Sequence, residues 1–283
     1  MFPSALKNHL EERFSLRITS AEALSGGDIN EVYLLKTNSD YFVVKLNAVN
    51  KFPDMFEKES AGLKALRDTE TIDIPEVLSY GDFEAHTYLI MAYRKEGAKQ
   101  PDFWEGFGTQ LADLHQHSNA RFGFEADNYY GSLPQYNDYC DSAHAFYIEQ
   151  RLKPQFKLAR DNGYEFKHLD AFYKQLESLI PDEKPALLHG DLWSGNYLTN
   201  SKGEPCLVDP AVAYGPREMD LAMMRLFGGF DPLLFQAYDA AFSLEPAWKD
   251  RIKLWQLYYI LGHVNLFGGH YYAQAKTIIA FYS

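Results

Sequence analysis

The sequence is short of cysteine: Cys140 and Cys206 are its only thiols, far apart and without metal-ligand spacing. That excludes a disulfide framework and a cysteine-based zinc site, and reduced thiols in a cytoplasm are the expectation. Basic residues are scarce too, with 27 Lys and Arg against 39 Asp and Glu, for a formal charge of −12. Tracking a phosphate backbone takes clustered cations, so no nucleic-acid partner is expected. Long apolar runs are missing as well. Leu254 to Gly269, the most apolar late stretch, carries Gln256, His263 and Asn265 and is too short and polar to span a bilayer. Met1 to Phe14 is charged and amphipathic, without the apolar core of a signal peptide, so no membrane partner is expected. No internal repeat and no low-complexity linker is evident. Apolar content is ample: 46% of the 283 residues are hydrophobic and 16% aromatic, the composition of an enzyme-sized globular protein with a ring-filled interior.

Hydrophobic patterning divides the chain near residue 93. Before it, a helix from Pro3 to Phe14 precedes strand-like segments at Leu16–Leu24, Glu31–Thr37 and Tyr41–Asn47. Ser25-Gly26-Gly27-Asp28 and Asn38-Ser39-Asp40 have turn chemistry. Pro53 opens a helix ending near Asp68, and strands follow around Glu76–Tyr80 and Thr87–Met91. After Tyr93 the pattern is mostly helical: Asp102–His117, a Gly- and Asn-rich loop through Asn137, then Asp141–Asn162 and Phe166–Leu179. A β island at Ala186–Asp209 interrupts it, and helices resume from Arg217. The order predicts an α+β bilobal fold, residues 1–93 forming a small sheet lobe with one key helix and 94–283 a larger helical lobe.

Chemistry concentrates in Leu187 to Pro210. His189-Gly190-Asp191 turns out of an apolar strand, Asn196 follows Asp191 by five positions, and Asp209 closes the next apolar run. Phosphoryl transfer uses such an inventory: one carboxylate to orient and deprotonate a hydroxyl, an amide oxygen and a second carboxylate to hold magnesium on nucleotide phosphates. Spacing alone decides nothing. With 20 Asp and 12 Asn, roughly one Asp-x4-Asn pair arises by chance, and both residues also form ordinary turns.

The string His189 to Asn196, HGDLWSGN, resembles the catalytic loop of the fructosamine-3-kinase, or ketosamine kinase, family, which shares the aminoglycoside-phosphotransferase and protein-kinase-like fold. Further matching segments lie in order along the chain: Gly26 to Tyr33, Phe56 to Glu59, Asp127 to Gln135, Glu149 to Leu152, and Phe227-Gly228-Gly229. The resemblance implies ATP and Mg2+ as cofactors. It makes Asp191 the base, Asn196 and Asp209 the metal ligands, and Lys45 the phosphate-binding lysine paired with Glu59. Gly26 and Gly27 become the turn over the triphosphate, Met91 and Tyr93 the adenine-binding hinge, and His189 and Asp220 supports of the catalytic loop.

On residue chemistry alone, Lys45 could be an exposed strand residue and Asp220 a helix cap. Trp193, Tyr214 and His263 are candidates for the acceptor side, where a sugar-derived substrate could use an aromatic platform. The basic run Arg151, Lys153, Lys157 and Arg160 reads as a solvated helix face. The implied activity is ATP-dependent phosphorylation of the O3' hydroxyl of ketosamines on glycated proteins or amines, a deglycation step, with ribulosamine or erythrulosamine favoured and fructosamine also in range. An aminoglycoside- or choline-type small-molecule kinase and a non-catalytic nucleotide-binding scaffold are the alternatives.

Overall fold

A computed structural model describes residues 1–24 and 29–283. Five strands near the start pair antiparallel into one sheet: β1 (Ile18–Leu24), β2 (Glu31–Thr37), β3 (Tyr41–Ala48), β4 (Val77–Phe83) and β5 (His86–Ala92), in the order β1-β2-β3-β5-β4. The β2–β3 turn is closed by Thr37, whose amide donates to the Asp40 carbonyl and whose hydroxyl accepts the Asp40 N–H at 2.9 Å. β4 runs three residues past the expected end at Tyr80, because its alternating half-buried residues keep pairing with β5 as far as the Phe83–His86 pair.

Central strand β3 is covered on both faces, and its period of two sorts its residues between them. Val44 and Leu46 pack with Leu6 and Leu10 of α1 (Ser4–Phe14). Val43 and Lys45 face the other way, toward α2 (Met55–Arg67), whose Phe56, Leu63 and Leu66 join Leu89 and Met91 in a second core. α2 begins two residues after Pro53, since Asp54 holds a left-handed φ of 57° and cannot be its first turn.

From Tyr93 the chain runs without regular structure to α3 (Phe103–Gln116). That connection is pinned to the later β island: Gly97 N–H donates to the Thr199 carbonyl at 3.1 Å and Gln100 N–H to that of Gly203 at 3.1 Å. The segment read as a loop contains a hairpin, β6 (Asn128–Tyr130) and β7 (Leu133–Gln135), turning on Gly131 at φ 59°.

The stretch read as one helix is α4 (Ala143–Phe146), a π-helical turn at Tyr147–Leu152, and α5 (Lys153–Asp161). Pro154, lacking an N–H, cannot donate back into that turn, which favours the wider winding. Arg151 is buried there, donating to the Tyr136 carbonyl at 2.5 Å and to Asn137 Oδ1 at 2.8 Å over the Phe146 ring. It therefore leaves the basic surface to Lys153, Lys157 and Arg160.

α6 (Leu169–Leu179) precedes the β island, in which β8 (Ala186–Leu188) pairs with β11 (Ala213–Gly215) and β9 (Tyr197–Thr199) with β10 (Pro205–Leu207). α7 (Glu218–Leu226), α8 (Pro232–Ala241), α9 (Trp248–Phe267) and α10 (His270–Phe281) complete the chain. Among the described residues, no helix is long and apolar enough to cross a membrane.

α7 is fastened to α9 by a buried charge. Glu218 accepts from Arg251 Nε at 2.9 Å, Arg251 Nη2 at 2.5 Å and Trp255 Nε1 at 2.7 Å. Removing one member strands the other in low dielectric, at a cost of roughly 3–5 kcal/mol. Glu218→Ala is expected to lower unfolding free energy by about that amount, read as an earlier urea midpoint at unchanged slope.

Candidate active site

β8 ends at Leu188, and the backbone then turns sharply through Gly190, at φ +84°. A Cβ there would stand 1.9 Å from the Ala211 carbonyl oxygen, so only glycine fits. Asp220, fully buried on α7, fastens the turn: its Oδ2 accepts the His189 N–H at 2.7 Å and its Oδ1 the Gly190 N–H at 2.9 Å. His115 Nε2 lies 3.2 Å from the same carboxylate, and its Nδ1 2.8 Å from the Tyr238 hydroxyl. Burial would raise the Asp220 carboxyl, but His115, His189 and the Gly190 N–H outweigh it and hold it below its ordinary value.

The His189 ring braces the loop. Its Nε2 donates to the Val208 carbonyl at 2.9 Å, and its Nδ1 accepts the Asp191 N–H at 3.3 Å. Those two bonds need the neutral Nε2–H tautomer, and burial pushes this imidazole below its usual pKa.

Of the predicted residues, Lys45, Glu59, Asp191, Asn196 and Asp209 come together in one cleft of about 750 Å³. Lys45 Nζ stands 2.6 Å from Glu59 Oε1 and 2.5 Å from Asp209 Oδ1. Burial alone would lower the amine, but the two carboxylates hold it above its ordinary range, so it is charged. Burial, then the charges of Asp209 and Asp220, push Asp191 up to about 8, against a hydrogen bond from Asn196 Nδ2 at 3.3 Å. Asn196 Nδ2 also donates to the Asp191 carbonyl at 2.8 Å, which leaves Oδ1 without a hydrogen bond among the described residues. The Asp209 side chain is half exposed at φ +56°.

Among the described residues, no cluster of three His, Cys, Asp or Glu side chains is arranged to hold a metal. Asp209 and Asn196 Oδ1 offer one carboxylate and one amide oxygen instead. This hard-oxygen pair suits magnesium, which keeps waters and shares substrate phosphates, and suits zinc poorly.

The other predicted residues separate. Trp193 and His263 line the cleft. The indole lies across Gly195, where a Cβ would come within 2.3 Å of it, and His263 Nδ1 donates to the Tyr259 carbonyl at 2.8 Å. Tyr214 does not join them. On β11 it points away from its neighbours Ala213 and Gly215, into a separate cavity of about 370 Å³ with Phe124 and Tyr139, so its assignment to the acceptor site is corrected.

Met91 is a core side chain off the cleft wall, opposite Val43. Tyr93 and Ala92 already donate their amides, to the Tyr41 carbonyl at 3.2 Å and the Glu76 carbonyl at 2.8 Å, so neither N–H is free to meet a base. Gly26 and Gly27 lie outside the described residues.

The segment Asp127 to Gln135 has no role that the sequence reveals, and the structure supplies one. Asn128 Nδ2 donates to the Val212 carbonyl at 2.8 Å and Gln135 Nε2 to that of Ala211 at 2.9 Å, while Tyr258 donates to Gln135 Oε1 at 2.8 Å. The β6–β7 hairpin thus latches the backbone just beyond Asp209 and brings Tyr129, Tyr130 and Ser132 to the cleft. Phe227, Phe267 and Tyr271, also unpredicted as site residues, line it from the helical side.

The fructosamine kinase family profile matches residues 3–282. The chain belongs to the fructosamine kinase family. It is 40% identical to the "Probable ketoamine kinase" of Synechocystis sp. over 93% of this chain and 90% of that one. With "Protein-ribulosamine 3-kinase, chloroplastic" of Arabidopsis thaliana it shares 36% identity over 95% of this chain and 84% of the plant protein. A crystal structure assigned as a Haemophilus somnus fructosamine-3-kinase superposes with a TM-score of 0.88 at 26% identity, covering 98% of this chain and 96% of that one. The fold is therefore α+β, bilobal and protein-kinase-like, and the chain is a phosphotransferase with an alcohol group as acceptor.

Asp220 serves two buried N–H groups at once, and each unsatisfied donor costs about 1–3 kcal/mol. Asp220→Ala is expected to lose on the order of 3 kcal/mol in urea unfolding, and Asp220→Asn, which keeps one acceptor, roughly half of that.

Proposed function

We propose that this protein transfers the γ-phosphoryl group of ATP to the O3' hydroxyl of a ketosamine, on a glycated protein or a free amine, with ribulosamine and erythrulosamine preferred over fructosamine. The observation that carries the reading is the convergence of Asp191, Asn196 and Asp209 with the Lys45–Glu59 pair on a single cleft, in a chain of this family. The names of the plant relatives support the five-carbon sugar.

In this mechanism Lys45 grips nucleotide phosphate oxygens while Glu59 keeps the amine in place. Asp209 and Asn196 Oδ1 would hold Mg2+, which when bound offsets the charge of the phosphates. Asp191 accepts the acceptor hydroxyl's hydrogen bond and takes its proton as the oxygen attacks phosphorus. Its surroundings suit a general base, because burial and neighbouring charge poise the carboxyl near neutrality and Asn196 steers it. His189 touches only backbone and acts by positioning Asp191. Gly26 and Gly27 remain the proposed phosphate-covering turn, and the two lobes divide at residue 93. Adenine contacts at the proposed Met91–Tyr93 hinge would use the Tyr93 carbonyl or the backbone from Arg94 on, since the Ala92 and Tyr93 amides are engaged and Met91 pairs with Val43 in the sheet. A phosphate at the third carbon lies alpha to the C2 carbonyl. Once C1 gives up a proton and the 1,2-enaminol forms, inorganic phosphate leaves from C3. Water then hydrolyses the resulting C1 imine to the free amine and a 3-deoxy-1,2-dicarbonyl, which is the basis of deglycation.

Purified protein with ATP and magnesium is expected to phosphorylate ribulosyl-lysine faster than fructosyl-lysine in side-by-side assays. Asp191→Asn should lower kcat by about 10²–10⁴ with little change in nucleotide KM. Absence of phosphate transfer to any ketosamine, or transfer to aminoglycosides or choline in preference, would overturn the reading.

A further inference from the structure

The tetrapeptide Leu-Phe-Gly-Gly occurs twice, at residues 226–229 and 266–269. Both copies end helices, α7 at Leu226 and α9 at Phe267, and all four glycines take positive φ: 73° and 91° in the first pair, 63° and 63° in the second. Both phenylalanines line the cleft of the active site, and both are unusually open to solvent for large apolar side chains, at 47% for Phe227 and 68% for Phe267. His263 lies between them, with ring centroids 5.2 Å from Phe227 and 5.6 Å from Phe267.

The first turn is seated directly on the catalytic loop. A Cβ on Gly229 would meet the Ser194 Cβ at 2.5 Å, so Phe227 is held at a fixed offset from Trp193 and Asp191. In the second turn, a Cβ on Gly268 would stand 2.1 Å from the Tyr164 hydroxyl oxygen, which fixes Phe267 in the same way. Each turn excludes side chains where it abuts its support, so the helix ends can pack that closely only with glycine.

Charge is divided along the cleft. Glu59 and Asp209 lie with Lys45 at the sheet end, and Asp191 stands on the catalytic loop two positions before Trp193. The helix end presents Phe227, Phe267, Leu266, Tyr271 and Trp193, with His263 kept neutral by burial, and no charged side chain among the described residues. An exposed apolar patch joined to a reaction cleft calls for a ligand group that covers it. The acceptor's reacting hydroxyl belongs at Asp191 and the nucleotide at Lys45, so the remaining space is for the part of the acceptor beyond its amine.

We infer that the twin Phe-Gly-Gly helix ends form an apolar clamp selecting ketosamines whose amine is carried on a polypeptide with aromatic or aliphatic side chains beside the modified lysine. This rests on the ketosamine kinase reading and names the acceptor class at its site. Phe227 and Phe267 are specificity-determining residues in it.

The test uses the full-length protein and three ribulosyl acceptors of matched chemistry: free ribulosyl-lysine, and capped tripeptides Phe-Lys-Phe and Ser-Lys-Ser carrying ribulose on the lysine amine. The two tripeptides have the same charge, so the net charge of the protein does not bias the comparison. Wild-type kcat/KM is expected to be about tenfold higher on Phe-Lys-Phe than on Ser-Lys-Ser, chiefly through KM, the discrimination an apolar contact gives in a pocket. Phe227→Ser with Phe267→Ser should bring that ratio near one, while Phe267→Leu, which keeps an apolar side chain at an exposed position, should preserve most of it. A wild-type ratio near one, or a ratio that survives the double substitution, overturns the clamp while leaving the kinase reading intact. Failure of wild-type protein to phosphorylate all three acceptors overturns the kinase reading and the clamp with it.

Discussion

A single ammonium group sits at the sheet end of the cleft, and three chain segments meet on it. Lys45 belongs to the central strand, Glu59 to the helix packed on that strand, and Asp209 to the loop that closes the β island. Taking those charges out of water costs several kcal/mol per ion, and their attraction repays the cost only with good geometry. The arrangement therefore says little about stability and much about position. Lys45 can lie this deep only because two carboxylates neutralise it, and the strand, the helix and the loop are held where one amine can reach both. In the proposed reaction a nucleotide phosphate would compete with the half-exposed Asp209 for the amine, while the buried Glu59 would keep its hold.

The same logic of buried charge with fixed partners runs through the helical part. Asp220 takes two backbone N–H groups of the catalytic loop, and Glu218, on the same first turn of α7, takes Arg251 and Trp255 of α9. One helix start thus faces the loop with one carboxylate and the hydrophobic core with another. A helix N-terminus favours negative charge, so both carboxylates are well placed electrostatically. The −12 formal charge is in this sense not all surface decoration: five acidic side chains, Glu59, Asp191, Asp209, Glu218 and Asp220, have named partners that build or brace the cleft.

Much of this is legible in the sequence where local chemistry decides the outcome. Strands β1, β2, β3 and β5, together with α1 and α3, follow from alternation and helical spacing, and the loop motif identifies Asp191, Asn196 and Asp209 before any geometry. What cannot be read depends on contacts between distant segments. The β6–β7 hairpin is only three residues a side and exists because Asn128 and Gln135 latch carbonyls some 76 to 84 positions away. Tyr214 misleads because proximity to Asp209 in sequence does not fix where a side chain points: its neighbours Ala213 and Gly215 face the helical core, and Tyr214 faces the cavity with Phe124 and Tyr139. Met91 and Tyr93 suggest a hinge by their position alone, and the amide partners at Tyr41 and Glu76 appear only once the sheet is assembled. The twin Leu-Phe-Gly-Gly strings are plain in the sequence, but four residues are too few to read as a repeat until both are seen to end helices at one cleft.

That division has a physical consequence for how the two ends of the cleft can vary. At the sheet end each group is tied to another by charge: altering Lys45 leaves the buried Glu59 without its partner, at a cost of several kcal/mol, and altering Glu59 or Asp209 leaves the buried amine with one carboxylate instead of two. At the helix end the geometry is set by glycine backbone and by what that backbone abuts, Ser194 and Tyr164, while the phenylalanine rings project into the open. Changing an exposed ring alters the apolar surface offered to an acceptor and leaves no charge stranded. In the proposed reaction, phosphoryl transfer and acceptor choice would rest on different sets of contacts in one cleft, joined where Gly229 sits on Ser194, three residues from Asp191, and through α7, which fastens the catalytic loop by Asp220 and ends at Leu226 beside Phe227. A shift of that turn would therefore be felt at the reacting carboxylate.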